Sequence, residues 1–332
     1  LMSRVLEFEG NRHEFEKPMR IISEYDVPED AWFFQQNSHP EWMPYSVLME
    51  IALQPCGFIS ANSGAMLIYP ELDLHYRNLD GNGTLSKHID LRGKTIQAEV
   101  ELYSTVASGN TVIQKHRFLL KCDGLPFYKG DTVFGYFTDE ALENQTGLDG
   151  GKAKLPWLDE NTSHDMKVYR LNDSNSRLES GKPHLKLAGN QLNLLDEVHL
   201  SPSVGSHGKG YAYGKRVVDP KDWFFPCHFH QDPVMPGSLG VEAILQALQV
   251  FCLDQKLGDS FSNPRFRPSL SQTRWKYRGQ IIPTTGMMQL ELHVSKIEKQ
   301  DEQLMLVADA SLWRDELRIY EVQDISLVIE EA

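Results

Sequence analysis

The chain has 332 residues, of which 41% are hydrophobic and 24% are charged, and its formal net charge is −13 at pH 7. That length allows one large domain or two domains of ordinary size, each with a buried core. The acidic balance excludes a typical nucleic-acid-binding protein, because such proteins present a basic face to phosphate.

No apolar run approaches the roughly 18 to 20 residues that a membrane span needs, and the first residues lack a signal-peptide pattern. The four cysteines show no C-x-x-C spacing, as expected for reduced thiols. We therefore predict a cytoplasmic protein with no membrane partner. The chain begins with Leu1 rather than Met, which is compatible with a segment of something longer.

The first predicted core element is an apolar segment from Tyr45 to about Ile59, interrupted by Pro55. Runs of alternating polarity follow it, and alternation is typical of antiparallel strands with one covered face. The strands predicted in this part of the chain are Thr95–Leu102, Val112–Cys122 and Val133–Phe137.

The stretch at 138–188 is polar and rich in Asp, Asn, Ser, Gly and Lys. Within it, the run Gly147–Gly151 is a loop signal. We predict a linker at 139–188 that separates an N-terminal domain at 1–138 from a C-terminal domain at 189–332.

The C-terminal part repeats the same order of elements. Its apolar segment, Ser238–Leu253, has a length and spacing that favour a mostly buried helix over a strand. The strands predicted after it are Ser271–Tyr277, Met287–Val294, Gln303–Trp313 and Ile319–Ile329. A helix followed by antiparallel strands is an α+β arrangement in which the sheet can wrap the helix.

The two halves are copies of one sequence unit. Trp32–Phe34 recurs as Trp223–Phe225 at an offset of 191 residues, and Met43–Pro44 recurs as Met235–Pro236 at an offset of 192. The offset of 192 then persists over about 80 residues, which chance rarely produces. Copy one, the N-terminal half, has therefore lost one residue in the loop that copy two, the C-terminal half, retains.

The most specific motifs lie in copy two, at Gly208–Tyr213, Trp223–Phe225, Cys227–Gly237 and Trp275–Pro283. With them, copy two resembles the β-hydroxydecanoyl-ACP dehydratase/isomerase family over most of 205–330. Copy one resembles it weakly, and a degenerate copy beside an intact one is similar to the dehydratase segments of polyunsaturated fatty-acid synthases. The resemblance implies a double hotdog of class α+β, with two antiparallel sheets each wrapped around a central helix.

The resemblance also implies a site in which a histidine of one hotdog faces an acidic residue on the central helix of the other. His228 matches the family's histidine, and Glu50 and Glu242 match the acidic position. In copy one, Asn37 stands at the histidine's position, with His39 two residues further on. We expect one working site, His228 with Glu50. We expect the second site, which contains Glu242, to be degenerate unless the shortened loop redirects His39.

Elimination of water from a 3-hydroxyacyl thioester needs a base at the α-carbon and an acid at the leaving hydroxyl. A neutral histidine suits the first task near pH 7, and a carboxyl kept protonated by an apolar pocket suits the second. Backbone N–H groups at the start of the helix, near Gly237 and Ser238, are candidates for polarising the thioester carbonyl. The glutamates stand where the decanoyl branch usually has aspartate, which adds a methylene and keeps the chemistry.

Two glutamines follow the glutamates by one helical turn. Gln54 and Gln246 are candidate substrate-binding residues, like Gly237 and Ser238, and they either orient the carboxyl groups or satisfy backbone groups. His228 and His230 form a His-x-His pair, but no third ligand is apparent, so we expect no metal.

These features predict a lyase that dehydrates 3-hydroxyacyl chains on an acyl carrier protein to trans-2-enoyl thioesters, in fatty-acid or polyunsaturated fatty-acid synthesis. The carrier would bring its own phosphopantetheine arm, so no other cofactor is expected. Isomerisation to a cis-3-enoyl product is compatible with the same histidine. A hotdog thioesterase and a non-catalytic acyl-binding scaffold are the alternatives. Other domains of a larger synthase are compatible partners.

Overall fold

The computed structural model describes residues 1–161, 165–172, 178, 181–300 and 302–332, with the backbone alone at 300. The helices are α1 Trp32–Gln36, α2 Tyr45–Ser63, α3 Asp139–Glu143, α4 Trp157–Glu160 and α5 Gly237–Asp254, and 3-10 turns lie at Ala65–Ile68 and Asn190–Leu192. The strands are β1 Arg4–Glu9, β2 Met19–Asp26, β3 His75–Leu85, β4 Thr95–Ser108, β5 Thr111–Cys122, β6 Leu125–Phe137, β7 Lys167–Arg170, β8 Glu197–Ser201, β9 Tyr211–Val217, β10 Pro264–Pro268, β11 Gln272–Tyr277, β12 Met287–Gln300, β13 Gln303–Arg314 and β14 Leu317–Glu331.

The chain divides into two compact units. The first unit comprises Leu1–Ala31, Ser46–Gln145 and Leu270–Tyr277, and the second comprises Trp32–Tyr45, Thr146–Ser269 and Arg278–Ala332. Each unit is therefore built mainly from one copy but includes a segment of the other copy. The loop at 32–45 comes from copy one and belongs to the second unit, and β11 comes from copy two and belongs to the first.

The first unit is an antiparallel sheet in the order β1-β2-β4-β5-β6-β3-β11. Helix α2 packs against it, and Ser60 Oγ on the helix lies 2.9 Å from His116 Nε2 on β5. The apolar residues Ile51 and Ile59 on the helix and Phe118 on β5 are buried. Burial of a side chain of this size contributes about 1.5–3 kcal/mol. Predicted strands in copy one coincide with β4, β5 and the second half of β6.

Helix α2 passes through Pro55 and ends at Ser63, although the sequence predicts an interruption at the proline. Proline removes one backbone hydrogen bond from a helix and disfavours the preceding turn. Ile51 and Ile59 lie on either side of Pro55 and are almost completely buried. We attribute the continuity of the helix to this burial, which favours the helical conformation on both sides.

By length and composition, the segment Tyr45–Ile68 could cross a membrane, with a mean hydropathy of 1.3. The expectation that no apolar run reaches this length is therefore wrong, because the helix extends beyond Pro55. In the structure 56% of the apolar 18-residue window within this segment is buried, and Ser60 and Ser63 bond to His116 and Gln114 of the same unit. We interpret the segment as the core helix of the first unit.

The second unit is an antiparallel sheet in the order β7-β8-β9-β12-β13-β14, and β10 pairs with β14. Helix α5 packs against β9, β12, β13 and β14. Every side chain from Ser238 to Leu253 is buried. A helix that is apolar on all faces requires such complete burial. Like the first unit, the second unit thus has the predicted arrangement of a central helix against an antiparallel sheet.

The sequence repeat is also a repeat of strand register. The pairing of β4 with β5 shifts between Leu102 and Ser104, and the pairing of β12 with β13 shifts between Val294 and Lys296. These two irregularities are 192 residues apart, as are the starts of the strands that carry them. The repeat predicted from the sequence is therefore confirmed at the level of single residues.

The predicted linker at 139–188 contains α3, α4 and β7, and its residues 162–164, 173–177 and 179–180 lie outside the described residues. Parts of it are attached to the second unit. Arg318 donates two hydrogen bonds to Asp149, at 2.7 and 2.8 Å, and the backbone N–H of Trp157 donates to Glu291 at 2.6 Å. The division into consecutive domains at 1–138, 139–188 and 189–332 stays a prediction.

Candidate active site

The loop that carries His228 connects β9 to α5 in the second unit. It is anchored by two buried aromatic residues, Phe224 and Phe225. The backbone N–H of His228 donates to the carbonyl oxygen of Phe224 at 3.0 Å, and the N–H of Val234 donates to the carbonyl oxygen of His228 at 2.8 Å. The loop therefore closes on itself on both sides of the histidine, which fixes the backbone from which the imidazole projects.

The imidazole of His228 has one defined hydrogen bond. Its Nδ1 lies 2.8 Å from the carbonyl oxygen of Val234. Because a carbonyl oxygen only accepts hydrogen bonds, Nδ1 must carry the proton. In the neutral ring Nε2 then holds the lone pair. The structure thus presents His228 as a base at Nε2, with its ring held from the opposite side.

The ring of His228 is half-buried, and the residues that follow it in the loop are exposed. The ring packs on that of Phe229, with centroids 3.8 Å apart, and Phe229 and His230 are exposed. Among the residues that the structure describes, no group of three or more His, Cys, Asp or Glu side chains could hold a metal ion. The His-x-His pair therefore has no third protein ligand in the described part of the chain.

Helix α5 begins beside this loop. Pro236 occupies the N-cap position and makes no side-chain capping bond, and Leu239 N–H donates to Pro236 O at 3.0 Å. The next two residues, Gly237 and Ser238, are the first of the helix, where N–H groups lack partners within the helix. Proline has no polar side chain with which to cap them, and the start of a helix is in general a favourable place for an oxygen ligand.

Glu242 and Gln246 lie on α5, and both are buried. The side-chain oxygen of Gln246 accepts from Leu194 N–H at 2.9 Å, and its amide nitrogen donates to Asn193 Oδ1 at 3.1 Å. Both contacts lie in the segment that precedes β8. Of the two roles predicted for Gln246, the structure gives evidence for satisfying backbone groups; its place in substrate binding stays a prediction.

The loop of copy one lies in the same unit as α5. Asn37 Nδ2 donates to the carbonyl oxygen of Trp42 at 2.6 Å, and Ser38 Oγ lies 3.4 Å from Gln249 Nε2 on α5. His39 Nδ1 accepts from the N–H of Glu41 at 3.3 Å, which leaves the ring proton on Nε2. Burial lowers the pKa of His39, with a further contribution from the nearby Arg265. Deletion of one residue has therefore placed His39 in a local turn, where its Nδ1 is occupied.

Glu50 and Gln54 lie on α2 in the first unit. Glu50 is partly buried, not fully buried as its apolar context suggests, and Gln54 is exposed. His228 belongs to the second unit, and its pairing with Glu50 stays a prediction. The substrate-binding role of Gln54 also stays a prediction.

The sequence did not reveal the acceptor of the hydrogen bond that His228 Nδ1 donates. The carbonyl oxygens of Val234 and Trp42 are backbone atoms, which residue types do not reveal. The repeat offers the only signal, since Val234 and Trp42 are 192 residues apart and stand at matching positions of the two loops. It would have identified the two positions as equivalent without showing what they bind.

Comparison with known proteins identifies the domain that carries this loop. Residues 187–323 match the FabA-like domain. The resemblance predicted from Cys227–Gly237 is thereby confirmed, and His228, Gly237 and Glu242 all lie within the FabA-like domain.

Relatives extend the similarity to copy one. The chain is 37% identical over 321 residues to a subunit of the polyunsaturated fatty acid synthase of Thraustochytrium sp.. That alignment covers 93% of this chain and 21% of the relative, so the chain spans about a fifth of the length of this curated protein. The similarity to this subunit therefore includes copy one as well as copy two.

Solved structures support the fold. The dehydratase domain from the CurJ module of curacin polyketide synthase matches with a TM-score of 0.50 and 11% identity, over 100% of this chain and 96% of that one. An oleoyl thioesterase (putative) from Lactobacillus plantarum matches with a TM-score of 0.51 and 6% identity, over 94% and 96%. At such identities the likeness concerns the fold alone, and the predicted double hotdog of class α+β is confirmed.

Proposed function

We propose that this chain dehydrates 3-hydroxyacyl thioesters carried on an acyl carrier protein, giving trans-2-enoyl thioesters. The observation that carries the proposal is the hydrogen bond from His228 Nδ1 to the carbonyl oxygen of Val234. It leaves the lone pair of the neutral ring on Nε2, the basic nitrogen that abstraction of a proton from an α-carbon requires. The match of residues 187–323 to the FabA-like domain supports the same reaction.

In the proposed reaction His228 Nε2 removes the proton from the α-carbon of the substrate. Negative charge then develops on the thioester oxygen, and the N–H groups of Gly237 and Ser238 stabilise it. The carboxyl group of Glu50 protonates the hydroxyl group on the β-carbon. The C–O bond breaks, water leaves, and the electron pair of the former C–H bond forms the double bond.

The choice of Glu50 as the acid is argued from the repeat and from the family resemblance. In that family the histidine and the acid come from different hotdogs, and Glu50 is at the acidic position of the copy that lacks the histidine. A carboxyl group acts as an acid near neutral pH when its surroundings disfavour ionisation. Glu50 itself is partly buried on α2, between the buried residues Met49 and Ile51.

The proposal includes the partner and the setting of the reaction. The substrate would arrive on the phosphopantetheine arm of the carrier, and the enzyme itself would need no further cofactor. Other domains of a synthase would supply the 3-hydroxyacyl chain and consume the enoyl product, and the similarity to part of a synthase supports this. A cytoplasmic location is part of the proposal, and the four free cysteines are in keeping with a reducing compartment. Isomerisation to a cis-3-enoyl product stays compatible with the same base.

One assay tests the function against its alternatives. The purified chain is given a 3-hydroxyacyl thioester, and the enoyl product and free thiol are followed together. We expect enoyl product without thiol. Release of thiol without enoyl product would instead establish a thioesterase, which the fold also accommodates, and binding without turnover would establish an acyl-binding scaffold.

A further inference from the structure

We infer that the second site, formed by the loop of copy one and α5, is silent because of two side chains, Asn37 and Tyr45, and that restoring histidine and glycine there would make it a second site for 3-hydroxyacyl thioesters. The inference rests on the proposed function. The loop Trp32–Tyr45 and helix α5 both belong to the second unit.

Each of the two loops contains a supporting hydrogen bond at the same position of the repeat. In copy two, His228 Nδ1 donates to the carbonyl oxygen of Val234 at 2.8 Å, and in copy one, Asn37 Nδ2 donates to that of Trp42 at 2.6 Å. Val234 and Trp42 are equivalent in the repeat. The amide of Asn37 therefore replaces the donor half of the histidine, while the basic half is missing because an amide takes no proton at neutral pH.

The aromatic residues beneath the loops also match. The ring centroids of Phe33 and Phe34 are 4.8 Å apart, and those of Phe224 and Phe225 are 4.7 Å apart. Trp32 packs edge-on against Phe33 at 5.8 Å, as the tryptophan of copy two does against its phenylalanine at 5.6 Å. The packing of these aromatic rings is therefore similar in the two loops, although copy one forms the short helix α1 where copy two has turns.

The second site retains its acid. Glu242 stands at the acidic position on α5 and is 7% exposed. Gln249, two helical turns further along α5, is the residue that lies 3.4 Å from Ser38 of the copy-one loop. The loop of copy one therefore contacts the helix that carries Glu242.

Tyr45 removes the remaining element of the site. Helix α5 begins with Gly237, and helix α2 begins with Tyr45 at the same position of the repeat. Glycine lets an oxygen ligand approach the first N–H groups of a helix closely, and a tyrosine side chain at that position obstructs this approach. Tyr45 is buried rather than extended into solvent, so its ring occupies protein volume beside the loop.

His39 is not a substitute for the missing base. Its Nδ1 accepts the N–H of Glu41 at 3.3 Å, and Nε2 consequently bears the proton. His39 also lies at the tip of the loop, which the deletion has altered. Position 37 is therefore where a base must be restored.

The test uses the full chain in a His228→Ala background, which removes the first site. We expect the added pair Asn37→His and Tyr45→Gly to raise the dehydration rate at least tenfold above that background, and Asn37→His or Tyr45→Gly alone to raise it much less. Asn37→His with Tyr45→Ala provides a second version that places less strain on the start of the helix. A further Glu242→Gln change should abolish the regained activity, and its pH–rate profile should show the ionisation of an imidazole.

A correctly folded variant with both changes, verified by its melting temperature and circular dichroism, that turns over no faster than His228→Ala would overturn the inference. Equal gain from Asn37→His alone would overturn the part assigned to Tyr45. Failure of the unmodified chain to dehydrate the substrate is a separate outcome, which would instead contradict the proposed function.

Discussion

His228 and Val234 are joined by a hydrogen bond of 2.8 Å from the imidazole Nδ1 to the backbone carbonyl oxygen. The bond fixes both the tautomer and the orientation of the ring, and both are needed for a base at Nε2. Because the acceptor is a backbone atom, no substitution at position 234 removes it directly. The function of the loop is therefore best tested at the histidine.

Replacing His228 with alanine should lower kcat for dehydration by about 10²–10⁴-fold, the usual contribution of a general base. The measurement is the rate of enoyl thioester formation at saturating substrate. His230→Ala is the matched control, because His230 lies two residues away and is exposed. Equal losses in the two variants would show that loop structure, and not a base, had been disturbed.

Glu50→Gln should lower kcat more strongly than Glu242→Gln. Glutamine keeps the size of the side chain but has no carboxyl proton to donate, so the acid of the working site is the one whose loss matters. Initial rates of the two variants, measured side by side, give the ranking. The reverse ranking would assign the acid to α5 and contradict the pairing argued from the repeat.

Gln246→Leu should destabilise the chain while changing kcat little. The substitution leaves the N–H of Leu194 and the side chain of Asn193 without their partner, and each buried unsatisfied group costs about 1–3 kcal/mol. Denaturant unfolding measures the loss and steady-state kinetics measure kcat. A large fall in kcat with unchanged stability would mean that Gln246 orients the carboxyl group of Glu242 after all.

The interior of the first unit should make its stability sensitive to acid. His116 is completely buried beside Ser60, and burial lowers its pKa to about 3. In the unfolded chain the pKa is about 6.5, so below that pH the unfolded state binds a proton that the folded state refuses. The free energy of unfolding should therefore fall as the pH drops from about 6.5 towards 3, by an amount of order 4 kcal/mol.

Unfolding of His116→Gln, followed between pH 7 and 4, tests this dependence. The variant has no titrating group at that position, so its stability should vary less with pH than that of the unmodified chain. His230→Gln removes an exposed histidine and serves as the comparison. Identical pH dependence in all three proteins would rule out His116 as the source.

The attachment of the predicted linker at 139–188 to the second unit can be tested by proteolysis. Arg318→Ala removes two hydrogen bonds to Asp149, and the arginine also holds the pKa of that carboxyl below its ordinary value. We expect residues near Asp149 to be cleaved faster in the variant. Arg314→Ala, on the neighbouring strand β13, is the control. Unchanged cleavage would mean that other contacts, such as Trp157 with Glu291, hold this stretch alone.

Elements that depend on local pattern could be predicted from the residue types. Burial imposes periodicity on the sequence, so helix α5 and strands β13 and β14 were predicted to within two residues at each end, whereas β12 extends six residues beyond its predicted end. The repeat showed which residues are equivalent, and the motif at Cys227–Gly237 indicated the family. The repeat also placed an asparagine of copy one at the position where copy two has a histidine.

The acceptors of the hydrogen bonds and the grouping of distant elements could not be predicted from the sequence. Both depend on the three-dimensional fold. The acceptors of His228 and Asn37 are carbonyl oxygens, which every residue possesses, so the sequence does not distinguish them. The passage of α2 through Pro55 and the grouping of loop 32–45 with α5 result from contacts between residues far apart in the chain. The periodicity of a segment shows that one of its faces is buried. Which other segments cover that face is determined by packing between distant parts of the chain.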